Sequence, residues 1–424
     1  MKQEKAVFSK LRNGALKAFS IKVLGVLLLL LMHSILGNQL GPENYGTFSY
    51  AISVVALLVV IVSLGWPNAL MRFTVQYIEQ KEWRLLRGSI ICAHIFIIAS
   101  ASLTALGLWG ISFWHDVVSS SMSTSLRFAA LLLPLSVLIG LHQRLFQGLH
   151  NVGASIVPRE ILLPILVAIS VFLAKVSNAS EALLIYTGAT LLSSIFTSTY
   201  VWKSLPKQLY GIQAEFRTRE WLTVSLPVVF SGISQTIMNR TDVLMLGSMV
   251  DMQAVGFYSL AKRIALLNTF VMTAVNLIGA PMLASAFYSG NQGNFQAILN
   301  KTRIWCMLGA LPLFSVIVVW PQGILNFFGD DFVEAASLLQ IIALGQFINA
   351  STGLVGSALV MTGSERLFAW TVGATTLLNI TGNLITIPKW GAIGAAWVTA
   401  LSIAILNIWQ LRLLHLRTKK QHIL

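Results

Sequence analysis

An all-α, polytopic membrane protein of about 12 transmembrane helices in two six-helix lobes is the fold this sequence predicts, on three observations. Hydrophobic residues make up 56% of the chain and charged residues only 10%, whereas a soluble domain has about a quarter of its residues charged. Apolar runs of about 20 residues, each long enough to cross a bilayer as a helix, recur from end to end. The stretch Leu36–Ala51 lies over Leu246–Ala261 without a gap, matching at Leu36/Leu246, Gly37/Gly247, Gly46/Gly256, Ser49/Ser259 and Ala51/Ala261. The chain therefore reads as two related halves.

Taken in order, the expected spans lie near 15–36, 46–66, 88–110, 126–147, 159–176 and 181–202, then 221–247, 256–283, 302–320, 335–361, 367–387 and 391–413. The basic opening segment leads into a polar turn at Asn38–Asn44 rather than a small-residue cleavage site, so it is not read as a cleaved signal. The longest polar linker divides the spans six and six. This gives an N-terminal lobe (1–202), a cytoplasmic linker (203–220) and a C-terminal lobe (221–424). An even number of spans per half makes the halves parallel repeats, one of the arrangements in which transporters rock about a central site. Prolines inside spans, such as Pro134, Pro164, Pro227 and Pro312, free a backbone carbonyl and bend the helix, although proline is common in membrane helices generally.

The net charge of +14 could suggest a nucleic-acid partner, but its placement does not. With the N-terminus inside, the outer loops hold only Lys175 and Lys389, together with acids such as Asp116, Asp251 and Glu334. Five cations, Lys22, Arg127, Arg240, Lys262 and Arg263, fall within spans or at their edges, and the remaining Lys and Arg are all on the inner side. That bias orients a multi-pass chain with both termini cytoplasmic and accounts for the high pI without nucleic acid.

A charge at hydrocarbon depth costs several kcal/mol unless it faces a partner or a watery cavity. Asp242 lies about 7 Å below the outer end of span seven and Lys262 about 9 Å inside span eight, at a rise of 1.5 Å per residue. Asp242 can thus pair with Lys262 or Arg263 across adjacent helices, whereas Arg240, two residues away on the same helix, points to another face. Asp242 is the candidate site for a coupling H⁺ or Na⁺. Arg240, Lys262, Arg263, Lys22 and Arg127 are candidates for drawing in an anionic substrate head group. Snorkelling to the interface is the competing reading for these cations. Arg72 and Arg144, at inner span ends, are gate candidates that topology explains equally well.

His33, His94 and His142 read as lone packing histidines. Trp66, Trp83, Trp109, Trp114 and Trp320 read as interfacial anchors. Cys92 and Cys306 read as buried thiols with no disulfide or metal motif. Asp330, Asp331 and Glu334 read as a solvated acidic loop. No phosphate loop, HExxH or GxSxG occurs, so no enzyme chemistry, ATP hydrolysis, metal or cofactor is expected.

With these residues in hand, the chain resembles the polysaccharide-transport branch of the multidrug/oligosaccharidyl-lipid/polysaccharide (MOP) superfamily, the O-antigen and capsule flippases of Wzx type. The similarity rests on LGPENYGTFSYA after the first span, SLGWPNALMRF ending the second, LFQGL closing the fourth and NRTDVLMLG ending the seventh. GFYSLAKRI opens the eighth and GAIGAAWVTALS the twelfth. The resemblance implies a MATE-like two-lobed bundle with a partly cationic cavity. It also implies flipping of undecaprenyl-pyrophosphate-linked oligosaccharide from the cytoplasmic to the periplasmic leaflet of a bacterial inner membrane. Membrane lipids and other polysaccharide assembly proteins are the further partners it implies. The alternatives are a cation-coupled drug or metabolite antiporter of the same fold and a membrane-embedded polysaccharide polymerase. The polymerase should show a catalytic external loop, and no outer loop here exceeds about 17 residues.

Overall fold

The computed structural model describes residues 2–113 and 120–420. Trp114 and Asp116 lie outside them. The first half comprises α1 (Lys2–Ser63), α2 (Trp66–Glu79), α3 (Trp83–Ile111), α4 (Ser120–Gly148), α5 (Val152–Val157), α6 (Leu163–Ala174) and α7 (Ala179–Ser204); a π-helical turn, Pro158–Leu162, joins α5 to α6. The second half comprises α8 (Thr218–Met249), α9 (Met252–Ala265), α10 (Phe270–Tyr288), α11 (Gln292–Val319), α12 (Pro321–Asn326), α13 (Ala336–Thr352), α14 (Val355–Met361) and α15 (Glu365–Lys420).

Among the described residues, nine helical segments are long and apolar enough to cross a membrane. Two of these, Ser20–Ser63 and Glu365–Arg417, run to 44 and 53 residues, and each is two spans end to end. The first breaks at Gly41 (φ 66°), just before Pro42, and the second at Gly391 (φ 54°). A side chain would strain either φ, and a proline disfavours helix in the residue before it. With those two divided and the 32-residue α8 included, the expected twelve crossings are present. This is a multi-pass, all-α membrane protein.

The chain divides into two compact units, one of residues 1–40 and 47–233, the other of 41–46 and 234–424. In the first unit, Trp66, Phe73, Tyr77 and Trp221 are fully or almost fully buried, and the Trp221 Nε1–H donates to the Tyr77 hydroxyl at 2.8 Å. Trp66 is therefore not an interfacial anchor. The break at Leu64 (φ 41°) and Gly65 (φ 76°) turns α2 so that Trp66 packs on Phe96 and Trp221. Trp109 and Trp320 are exposed, as an anchor requires. Cys306 is buried, and Cys92 is half-buried beside the Thr218 hydroxyl. The segment after α7 is held on α3, where the Glu215 N–H donates to Arg84 O at 3.0 Å and Arg87 donates to Ile212 O.

In the second unit, segment 41–46 packs on α9. A Cβ on Gly46 would stand 1.7 Å from Met252 O, and one on Gly256 would stand 2.0 Å from Pro42 O. Gly46 and Gly256 are equivalent in the internal repeat, as are Pro42 and Met252. Tyr45 and Phe257 meet Phe332 edge-on, with ring centroids 5.5 Å and 6.0 Å away.

Candidate functional site

A buried polar centre of the second unit forms where α8, α9 and α15 meet. Asp242 is fully buried on α8. Its Oδ2 accepts hydrogen bonds from Lys262 Nζ and the Tyr258 hydroxyl, both on α9, and from the Thr399 hydroxyl on α15 at 3.3 Å. Its Oδ1 accepts from the Val243 N–H at 2.9 Å. Tyr258 and Lys262, four residues apart, share one face of α9, as the helical period requires. Lys262 is 7% exposed and also donates to Asn239 O at 2.8 Å. A buried ion pair recovers its desolvation cost only with the help of further hydrogen bonds to its partners, and here both partners make them.

Asn239 also lines a cavity of about 540 Å³ within this unit, bounded by α8, α10, α13, α14 and both arms of α15. Its polar lining is amide and hydroxyl: Gln235, Asn276, Gln346, Asn349, Asn407 and Gln410 are prominent, and no lining residue is charged. Several of these groups are fixed by one another. Asn407 donates to Asn349 Oδ1 at 3.0 Å and accepts from the Thr352 hydroxyl at 2.9 Å, while Gln410 donates to the Thr371 hydroxyl at 3.1 Å. Asn276 Oδ1 is buried with no hydrogen-bond partner. Phe368 and several Met and Leu side chains supply the apolar remainder.

The structure thus brings Asp242 and Lys262 together and leaves the other sequence candidates elsewhere. Arg263, next to Lys262, is half-buried with an Nε that has no hydrogen-bond partner. Arg240 is half-buried and acts on Lys262 as a like charge. In the first unit, Lys22 is half-buried on α1. Arg127 lies 4.8 Å over the Phe113 ring and donates to the Ser112 hydroxyl at 3.4 Å, joining the facing ends of α3 and α4. Arg72 is exposed on α2, and Arg144 donates to Gln147 on its own helix at 2.9 Å. The acidic loop Asp330, Asp331 and Glu334 forms a 3₁₀ turn, and all three acids are exposed or half-exposed.

Two arrangements escaped the sequence reading. The amide lining was one, although Asn407 and Gln410 stand three residues apart, on one face of α15. The other lies in the first unit. His94 and His142 are not lone residues, because their Nε2 atoms stand 3.1 Å apart, and His142 Nδ1 is 3.1 Å from the Thr197 hydroxyl.

Comparison with known proteins agrees with this architecture. The family model described as polysaccharide biosynthesis protein matches residues 11–287, and the chain belongs to that family. A second family model, MatE, matches residues 227–385. The chain is 26% identical over 178 residues to a protein of Haloferax volcanii named "Probable low-salt glycan biosynthesis flippase", covering 42% of this chain and 38% of that one. It is 23% identical over 387 residues to the succinoglycan biosynthesis transport protein of Rhizobium meliloti, covering 86% of this chain and 75% of that one. Among solved structures, an inward-facing multidrug resistance MATE family transporter of the MOP superfamily superposes with a TM-score of 0.78 at 14% identity, covering 96% of this chain and 98% of that one. A lipid II flippase in an inward closed conformation superposes with a TM-score of 0.71 at 17% identity, covering 93% and 86%. These likenesses establish the MATE-like fold expected from the sequence.

Proposed function

We propose that the protein is a flippase that carries a lipid-linked oligosaccharide from the cytoplasmic to the periplasmic leaflet of a bacterial inner membrane. The observation that carries this reading is the uncharged, amide-lined cavity of the second unit. Sugar hydroxyls both donate and accept, and side-chain amides do the same, so Asn276, Asn349, Asn407 and Gln410 offer the matching groups without a charge to desolvate. Apolar surface such as Phe368 would lie against the faces of sugar rings. Membership of the polysaccharide biosynthesis family supports the same cargo.

With both termini cytoplasmic, as Lys and Arg placement predicts, this cavity would lie in the cytoplasmic half of the bilayer, where a lipid-linked sugar would be loaded. The prenyl chain of undecaprenyl pyrophosphate would remain in lipid while the pyrophosphate is drawn by the membrane-depth cations, Arg240 and Arg263 among them. The carrier belongs to the same proposal, as does coupling to H⁺ or Na⁺ at Asp242. Asp242 would have to part from Lys262 before it could take an ion, so coupling at this site means breaking that pair.

Complementation tests the reading. A flippase-deleted bacterium making the matching surface polysaccharide would receive wild type, Asn349→Leu/Asn407→Leu or Asp242→Ala, with protein levels in the membrane checked alongside. Polymer restored by wild type and lost in the well-inserted cavity variant is the expected result. Failure of wild type, together with raised resistance to cationic dyes, would favour the antiporter that the MatE match keeps as the second reading.

A further inference from the structure

We infer that His94, His142 and Thr197 form a single-proton site in the first unit, with the Thr197 hydroxyl turning as the proton binds. The inference rests on the geometry of α3, α4 and α7 alone and does not require that the cargo be a glycan.

Counting hydrogens gives the result. Ile90 O lies 2.7 Å from His94 Nδ1 and can only accept, so that nitrogen carries a hydrogen. Ser194 O lies 2.9 Å from Thr197 Oγ1 and can only accept, so the Thr197 hydroxyl points to it. Thr197 Oγ1 is then the acceptor for His142 Nδ1, which must also carry a hydrogen. A neutral imidazole has one hydrogen. With both on Nδ1, two bare Nε2 lone pairs would face each other at 3.1 Å, which is repulsive. One additional proton between the two Nε2 atoms satisfies every contact, and the pair then carries one positive charge.

Removing that proton leaves one other consistent arrangement. The His142 hydrogen moves from Nδ1 to Nε2 and donates to His94 Nε2. The Thr197 hydroxyl swings from Ser194 O to His142 Nδ1. The two states differ by one proton, and each satisfies all four ring nitrogens.

The surroundings leave the pair to set its own charge. His142 is 2% exposed, and neither ring forms an ion pair among the described residues. Helices α3, α4 and α5 contain no acid. The acids on α2 and α7 are Glu79, at an exposed helix end, and Glu181, at the far end of α7, where it accepts from the Ser177 N–H; on the π-helical turn beside α7, Glu160 lies against Gly25 of α1 and Arg159 is exposed. The other titratable groups nearby are engaged elsewhere: Arg87 with Ile212 O, Arg144 with Gln147, Tyr77 with Trp221 and Tyr200 with Asn151, while Cys92 lies beside Thr218. The charge of the protonated pair is met by carbonyl and hydroxyl dipoles, and its burial makes proton uptake a change that three packed helices must accommodate.

The test is ring ¹⁵N NMR of histidine-labelled protein in lipid nanodiscs, followed from about pH 8 to about pH 4, across the ordinary histidine range. The two rings should titrate together and take up one proton between them. In the acidic form, a scalar coupling between the two Nε2 atoms should appear, and it identifies the pair in the wild type without any variant. His94→Gln should abolish the coupling. Thr197→Val should keep the one-proton titration but move it to lower pH, because the charged form loses the stronger hydrogen bond. Two separate titrations, one proton to each ring, or no titration across the range would overturn the inference.

Discussion

The two halves of this chain bury polar chemistry in opposite ways. The second unit holds a full charge pair, Asp242 and Lys262, with both oxygens of the carboxylate engaged by residues on α8, α9 or α15. The first unit holds two histidines whose hydrogen bonds are complete only for a particular proton count. Saturation makes the first of these centres costly to disturb, whereas proton-dependent satisfaction lets the second alternate between states. The two centres lie in different units of the chain, one in each.

The comparison breaks most severely at Gly256. Gly256→Val would drive a side chain into Pro42 O and shift α9, carrying Tyr258 and Lys262 off Asp242. We expect loss of folded protein beyond the about 1–3 kcal/mol of ordinary overpacking; the readout is membrane level and fluorescence-detected gel filtration. Lys262→Met comes next. It strands the buried Asp242 carboxylate and should cost about 3–5 kcal/mol in thermal unfolding. The double variant Asp242→Leu/Lys262→Met should recover most of that loss. If the double variant is no better than the single, the pair is not the self-contained unit described here.

Tyr258→Phe removes one donor from the carboxylate and should cost about 1.5–3 kcal/mol, the range for a hydrogen bond to a charged group. Thr197→Val, in the histidine site, should cost only about 0.5–1.5 kcal/mol, the range for one ordinary hydrogen bond. A larger loss for Thr197→Val than for Tyr258→Phe, read by the same melting assay, would reverse the ranking of the two centres. Arg72→Ala, on the exposed face of α2, should stay within about 0.5 kcal/mol of wild type.

These differences were unequally legible in the sequence. Helix number followed from the length of the apolar runs, and the pairing of Asp242 with Lys262 or Arg263 followed from their similar depth below neighbouring helix ends, the structure choosing Lys262. Similar depth works because a short turn joins α8 to α9 and fixes their register. His94 and His142 are 48 residues apart on helices whose register depends on packing, so nothing in their spacing linked them. Trp66 sits at a span end, where tryptophan ordinarily anchors, and only the left-handed turn at Leu64 and Gly65 sends it into the core. The amide cavity is less legible, because Asn and Gln are cheaper to bury in a membrane than a charge and its lining is drawn from five helices; Asn407 and Gln410, three residues apart on α15, are its local signal.

On the function proposed above, the amide cavity of the second unit handles the sugar of a lipid-linked cargo. The most direct test is the movement of a lipid-linked oligosaccharide between leaflets of vesicles containing the purified protein, scored by lectin binding at the outer face. Wild type should move it, and Asn349→Leu/Asn407→Leu, with an unchanged melting temperature, should move it at least about tenfold more slowly, the equivalent of one to two lost hydrogen bonds. Equal rates for the two proteins, or no movement by wild type, would contradict the account.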